Sequence, residues 1–270
     1  MRNPVITLLT DFGTKDHYVA SMKGVILKIN PRCRLIDITH QVSPHDIWEG
    51  AFVLASAYSY FPKGTIHLAV VDPGVGGARR PLLLVTPNYY FVGPDNGLFA
   101  MIAQKERLKQ IIVPNKRKYH LSKVSTTFHG RDIFAPVAAH LSLGIKAGAF
   151  GNKADSLEGL GFRRPVIQEG KLRGEILHVD AFGNLVSNID EGRLFQFIRG
   201  RPFVVRAGRR TIRGLKKGYW EGEKGEPIAL FGSGDFLEIC VREGNAQKAL
   251  KVKRGDPIRI RTKFQAPDPK

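Results

Sequence analysis

Along the first third of the chain, compact apolar runs alternate with segments whose apolar positions recur at the helical period. Residues 5–9 form a dense apolar run of the kind a buried strand needs. From there to Asn30-Pro31, the residues Tyr18, Val19, Met22, Val25, Ile26 and Ile29 mark one face of a helix that the Pro ends. Residues 35–39 read as a second strand. Ser43-Pro44-His45-Asp46 then supplies a helix start for residues 47–61, which Pro62-Lys63-Gly64 stops. Residues 66–72 form a third strand ending in Asp72-Pro73-Gly74-Val75-Gly76-Gly77, where Pro and Gly break the ladder. Strand and helix alternate over short connections, which is the pattern of a parallel sheet covered by helices.

The rhythm then changes. Residues 82–86 and 89–93 predict a hairpin across Pro87-Asn88, followed by a turn at Pro94-Asp95-Asn96-Gly97, a short helix to Lys105 and a strand at 111–113. An amphipathic helix is predicted at 133–143 with Asp132 near its cap, then a small, polar, glycine-rich stretch at 144–161 and a linker at 161–170. Beyond it the strands are short: 171–180, 185–188, 202–206, 210–213, 226–230, 236–241 and 257–261, with one short helix at 247–250. Such spacing favours a small barrel. The expected fold is therefore α/β: an N-terminal α/β domain with a largely parallel central sheet (residues 1–165), then a C-terminal small all-β barrel (residues 166–270).

Composition narrows the class. A chain of 270 residues with 43% hydrophobic and 24% charged residues is an ordinary globular protein. Cys33 and Cys240 are its two cysteines, which excludes a disulfide framework and a cysteine-based zinc cluster and suits a reducing cytoplasm. The first apolar run is too short for a secretory leader, and no apolar stretch approaches membrane-spanning length. The net charge of +18 raises the question of a polyanion partner. The clusters at 116–118, 206–213 and 251–254 are not interleaved with aromatics, and no nucleic-acid-binding signature is present. A solvated basic surface is the default reading, with nucleic acid not the expected partner.

Three loops carry polar residues that a turn does not require: Thr10-Asp11-Phe12-Gly13, Asp72 with Arg79 and Arg80, and Phe128-His129-Gly130. A carboxylate, a guanidinium and an imidazole together can position and deprotonate water. Each alone has a plainer reading, as a surface ion pair or a structural histidine. The chain has no dinucleotide fingerprint, P-loop, nucleophile elbow or HExxH helix. His40, His45 and His129 with Asp37, Asp46 and Asp72 are chemically able to bind a metal but lack ligand spacing, so no metal is expected.

These residues stand inside longer motifs: Thr10-Asp11-Phe12-Gly13 with Met22-Lys23-Gly24-Val25-Ile26, Val70-Val71-Asp72-Pro73-Gly74-Val75-Gly76, Pro94-Asp95-Asn96-Gly97-Leu98, Phe128-His129-Gly130-Arg131-Asp132, Asp180 with Phe182-Gly183-Asn184-Leu185, and Gly232-Ser233. In this order they resemble the S-adenosylmethionine (SAM) hydroxide adenosyltransferase family, which is related to the halide-using SAM enzymes. The resemblance implies hydrolysis of SAM to adenosine and L-methionine by water attacking ribose C5′, with SAM as substrate and no cofactor. It implies a catalytic set of Asp72, Arg79 and His129, Arg79 being preferred to Arg80 by alignment. Asp11 is implied at the ribose hydroxyls, Phe128 beside the nucleoside, Asn184 at adenine, Asp180 at the methionine ammonium and Ser233 near the amino-acid end. It further implies a homotrimer with sites between subunits. The rival readings are a halide-dependent adenosyltransferase, in which a tyrosine can stand where Asp72 does, and a basic nucleic-acid-binding protein. The residues do not decide which group takes the proton from water.

Overall fold

A computed structural model describes residues 3–161 and 164–262. The chain divides into two compact units, Met1–Leu160 and Gly161–Lys270. Within the linker expected at 161–170, residues 162 and 163 lie outside the described residues.

In the first unit, β1 (Val5–Thr10), α1 (Tyr18–Ile29), β2 (Arg34–Thr39), α2 (Ile47–Ala57) and β3 (Ile66–Val70) follow the predicted alternation. Then come β4 (Pro81–Val85), β5 (Tyr90–Pro94), α3 (Ala100–Lys105), β6 (Gln110–Val113), α4 (Ala135–Ser142) and the two-residue β7 (Asn152–Lys153). The sheet order is β2-β1-β3-β5-β4-β6-β7. β2, β1, β3 and β5 are paired in parallel, whereas β4, β6 and β7 each run antiparallel to their neighbours. The sheet is therefore mixed, which corrects the expectation of a largely parallel one. The reason is local: the hairpin at Pro87-Asn88 reverses the chain without a crossover helix, and β6 and β7 extend from the reversed strand. β3, central in the parallel part, is buried along its whole length, as a strand covered on both faces must be. One face packs Ile6, Leu8, Leu68 and Val70 against Met22, Ile26 and the α4 residues Val137 and Ala138. The other packs Leu9, Ala69 and Leu84 against Leu54 of α2 and Ile102 of α3.

Two helices differ from expectation. The helix predicted at 47–61 leaves α geometry after Ala57 and finishes as a tighter turn at Tyr58–Tyr60. The helix predicted from 133 begins earlier, as a π turn at Gly130–Phe134 that runs into α4. Asp132 does not cap it. Fully buried, its carboxylate accepts the Ser125 backbone N–H at 2.8 Å and the Ser125 hydroxyl at 2.7 Å.

The second unit holds β8 (Val166–Gln168), β9 (Lys171–Val179), β10 (Leu185–Asp190), α5 (Glu191–Ile198), β11 (Phe203–Ala207), β12 (Arg210–Arg213), β13 (Pro227–Phe231), β14 (Phe236–Val241), α6 (Ala246–Leu250) and β15 (Pro257–Thr262). The antiparallel order is β12-β11-β15-β9-β10-β14-β13, with β8 beside β9. The two ends nearly meet: Lys216, just after β12, donates its N–H to the Ala229 carbonyl of β13 at 2.8 Å. This is the barrel the short strands implied, filled by Leu172, Leu185, Ile239, Ile258 and Ile260. α5 was not anticipated. Asp190 caps it through the Arg193 N–H, and Leu194, Phe197 and Ile198 turn its apolar face into the core.

Candidate active site

Parallel strands end on one side of a sheet, so the loops after β1 and β3 leave the first unit at the same edge. The loop after β3 is held down by Gly76. Its φ is +77°, and a Cβ there would lie 2.1 Å from the Thr126 carbonyl oxygen. Only glycine permits that approach, which seats the 72–80 loop on the 125–128 loop. Asp132 fixes the second loop from beneath through Ser125. Asp72, Arg79 and His129 are brought together by this contact.

Their geometry forms a chain. Arg79 Nε lies 2.9 Å and 3.0 Å from the two Asp72 carboxylate oxygens, and its Nη2 lies 2.6 Å from Oδ2. The same Nη2 lies 2.7 Å from His129 Nδ1. The Arg79 guanidinium sits 5.3 Å from the Phe134 ring centroid. Its side chain is 9% exposed and that of Asp72 5%, so the pair is largely removed from solvent. A guanidinium has no acceptor, so His129 Nδ1 accepts and the neutral imidazole carries its proton on Nε2. Burial, then the neighbouring Arg79 charge, lowers the His129 pKa below its ordinary value, although Asp72, Asp132 and a hydrogen bond to the Ser125 backbone oppose this. His129 is thus held neutral and oriented.

Arg80 is elsewhere. Its guanidinium grips Asp95 at 2.5 Å and the Ser156 carbonyl at 3.0 Å, while the other Asp95 oxygen accepts from the Glu158 N–H. Of the two adjacent arginines, one reaches Asp72 and the other ties down a distant loop.

Asp72 opens onto a cavity of about 550 Å³ whose lining includes Asp11, Phe12, Tyr18, Phe128 and Arg131. Asp11 accepts the His45 backbone N–H on Oδ2 at 2.9 Å. Its other oxygen, Oδ1, is buried without a protein partner among the described residues, leaving an acceptor for a hydroxyl. His45 presents that N–H from a φ of +67°, a strained setting for a residue with a Cβ. Phe128 packs edge to face against both Phe12 and Tyr18, the three centroids lie 5.2–5.8 Å apart, and Arg131 lies 5.0 Å from the Phe128 centroid. This wall suits a flat heteroaromatic ring. His17 and Thr127 also line the cavity, as do Tyr18, His45 and Arg131, none of which was assigned a binding role from the sequence. Their sequence signal for a binding role was proximity to Asp11, Asp72 and Phe128.

The remaining candidates lie in the barrel unit. Asp180 braces its own turn, accepting the Phe182 and Asn184 N–H groups on Oδ1 at 2.9 and 2.8 Å and the Asn184 side-chain amide on Oδ2 at 2.9 Å. Asn184 is buried there. Gly183, at φ +85°, leaves no room for a side chain because Asn245 packs against it. Ser233 is exposed in the β13–β14 turn. Glu238 joins this group unforeseen: burial and the Asp180 charge raise its carboxyl pKa. Tyr219 nearby is pushed up to about 12 by burial and by Cys240 and Glu238. Among the described residues, no group of three or more His, Cys, Asp or Glu side chains is placed to hold a metal.

Comparison with known proteins bears on this arrangement. Residues 6–151 match the model of the SAM hydroxide adenosyltransferase N-terminal domain, and residues 174–259 match that of its C-terminal domain. The (R)-S-adenosyl-L-methionine hydrolase of Methanocaldococcus jannaschii is 40% identical over 95% of this chain and 95% of its own. That of Thermus thermophilus is 36% identical over 94% of this chain and 98% of its own. The fluorinase of Actinoplanes sp. is 28% identical over 69% of this chain and 72% of its own. Among solved structures, an uncharacterized conserved protein from Thermotoga maritima superposes with a TM-score of 0.89 at 39% identity, covering 95% of this chain and 99% of that one.

Proposed function

The chain belongs to the SAM hydroxide adenosyltransferase family, and from that premise we propose how its residues act on the substrate. The protein is an enzyme that hydrolyses S-adenosyl-L-methionine to adenosine and L-methionine, the activity for which its relatives at 36–40% identity are named. Those relatives are named for the (R) form of the substrate, and we assign the same sulfonium configuration here.

The observation that carries the mechanism is the Asp72 carboxylate at the cavity wall with Arg79 and His129 behind it. Water held against Asp72 attacks C5′ of the ribose. The C5′–S bond breaks, its electron pair stays on sulfur, and methionine leaves as a neutral thioether. The water proton passes to Asp72, since His129 Nδ1 already accepts from Arg79. Arg79 orients the carboxylate, and His129 fixes Arg79. The sulfonium loses its charge in the step, so a site with little water opposes it less than bulk solvent does. Asp11 receives the ribose hydroxyls, and Phe128 with its aromatic neighbours packs on the nucleoside. Asp180 takes the methionine ammonium with Ser233 near the amino-acid end, and Asn184 reads adenine. An anionic carboxylate at the attack position repels halide, which separates this reading from that of the fluorinase relatives.

The resemblance also implies a homotrimer whose sites each need two subunits, in the cytoplasm. Among the described residues, no helix is long and apolar enough to cross a membrane. Turnover decides the function. Purified protein incubated with each sulfonium epimer in halide-free buffer releases adenosine and methionine from the (R) form. Formation of a 5′-halo nucleoside only on adding chloride or fluoride overturns the hydrolase reading.

A further inference from the structure

Most of the net charge of +18 lies outside the residues assigned to SAM hydrolysis, and the barrel concentrates part of it. Strand register sets Arg206 of β11 directly opposite Arg259 of β15, and Arg259 opposite Arg173 of β9. Side chains two residues apart on a strand share a face, so Lys171 and Arg261 belong to the same side. These five cations, with Val204 and Thr211, line one depression of about 280 Å³. Among the described residues, no carboxylate and no aromatic ring lines it.

Like charges directly across a strand pair destabilise a sheet. Among the described residues, little on the barrel relieves this repulsion. Arg173 is paired with Glu169 at the rim, but among the described residues no carboxylate pairs with Lys171, Arg206, Arg259 or Arg261. Arg173 also keeps its Nε buried without an acceptor. A guanidinium presents a rigid fork of donors matched to phosphate oxygens. The lack of an aromatic platform among the described residues argues against stacked single-stranded bases and for contact with the backbone alone.

We propose that this face of the barrel is a docking site for the phosphodiester backbone of a double-stranded nucleic acid, read by charge without regard to sequence. The face has its own residues, apart from those assigned to hydrolysis, and binding there does not depend on turnover.

The test is fluorescence anisotropy of the full-length protein with a labelled duplex DNA of mixed sequence, titrated at several salt concentrations. The logarithm of the binding constant falls linearly with the logarithm of salt, with a slope of about −0.9 per phosphate contacted. The double variant Arg206→Gln/Arg259→Gln lowers that slope by about 1.8 in magnitude. SAM hydrolysis is unchanged in it, which shows that the variant is folded. Lys116→Gln/Arg117→Gln removes the same charge from an exposed segment of the other unit and leaves the slope as it was. The proposal is overturned by no duplex binding at 50 mM salt, by an unaltered slope in the barrel variant, or by equal loss in both double variants. It is overturned equally if inorganic polyphosphate binds this face and duplex does not.

Discussion

Two arginine-bearing regions of this protein treat charge in opposite ways. In the α/β unit, Arg79 and Arg80 are both satisfied: one by a carboxylate and an imidazole, the other by Asp95 and a carbonyl. On the barrel, Arg206, Arg259 and Arg261 stand exposed, and among the described residues no carboxylate neutralises them. A buried, paired guanidinium is a positioning device. Its fork is committed, its geometry is set, and solvent and salt screen it weakly. An unpaired exposed one keeps its donors for a partner and costs the fold repulsion. The same side chain thus serves chemistry in one unit and recognition in the other, depending on whether a carboxylate meets it.

Substitution at Asp72 breaks the α/β half of this contrast most severely. Asp72→Asn keeps the shape but removes the proton acceptor, and kcat falls by about 10³-fold, measured as adenosine release. An asparagine variant that retains full turnover sinks the assignment of the base. Arg79→Lys is next. A lysine cannot hold both carboxylate oxygens and the His129 nitrogen, so kcat drops by about 10²-fold. Arg80→Lys changes it by less than about twofold, because its partners are away from the cavity. Equal losses at both positions would show that pairing, not placement, matters.

Acid sharpens the contrast further. His129 must be neutral to accept from Arg79, and its pKa is lowered from 6.5 by burial and by Arg79. The rate therefore stays on its plateau as pH falls through 6.5 and declines only below it, read from kcat/KM against pH. An acid limb at or above 6.5 contradicts the chain of contacts. A pH effect on stability comes from a residue outside the site. His67 is buried, bonded through Nδ1 to the Thr7 hydroxyl at 2.8 Å, and burial lowers its pKa to about 3. Because the folded value is depressed, the unfolded chain binds the proton first. Stability is full above pH 6.5 and is lost as pH falls from there toward 3. The slope from this residue is at most about 1.4 kcal/mol per pH unit. Urea unfolding at stepped pH measures it, and His67→Leu flattens that slope.

Much of the fold was legible because local pattern and tertiary role agree. The boundaries of α1, β12 and β14 follow from periodicity and from Pro and Gly punctuation. α5 was missed because strands dominate its neighbourhood, although Asp190 as cap with Leu194, Phe197 and Ile198 at helical spacing was a readable signal. The π turn at Gly130–Phe134 had none, since it arises where buried Asp132 reaches back to Ser125.

The sequence by itself determined the two-part architecture, the residue types at the site and the family, because those depend on local spacing and on motifs in order. Tertiary structure decided the rest. It joined Asp72, Arg79 and His129 into one hydrogen-bonded chain, separated Arg79 from Arg80, and fixed the His129 tautomer. It turned the sheet from parallel to mixed at one hairpin, and it gathered arginines from three separate strands onto one face. Each of these outcomes rests on which residues stand opposite one another across a gap in sequence. Register and loop contact set that, and no local pattern encodes either.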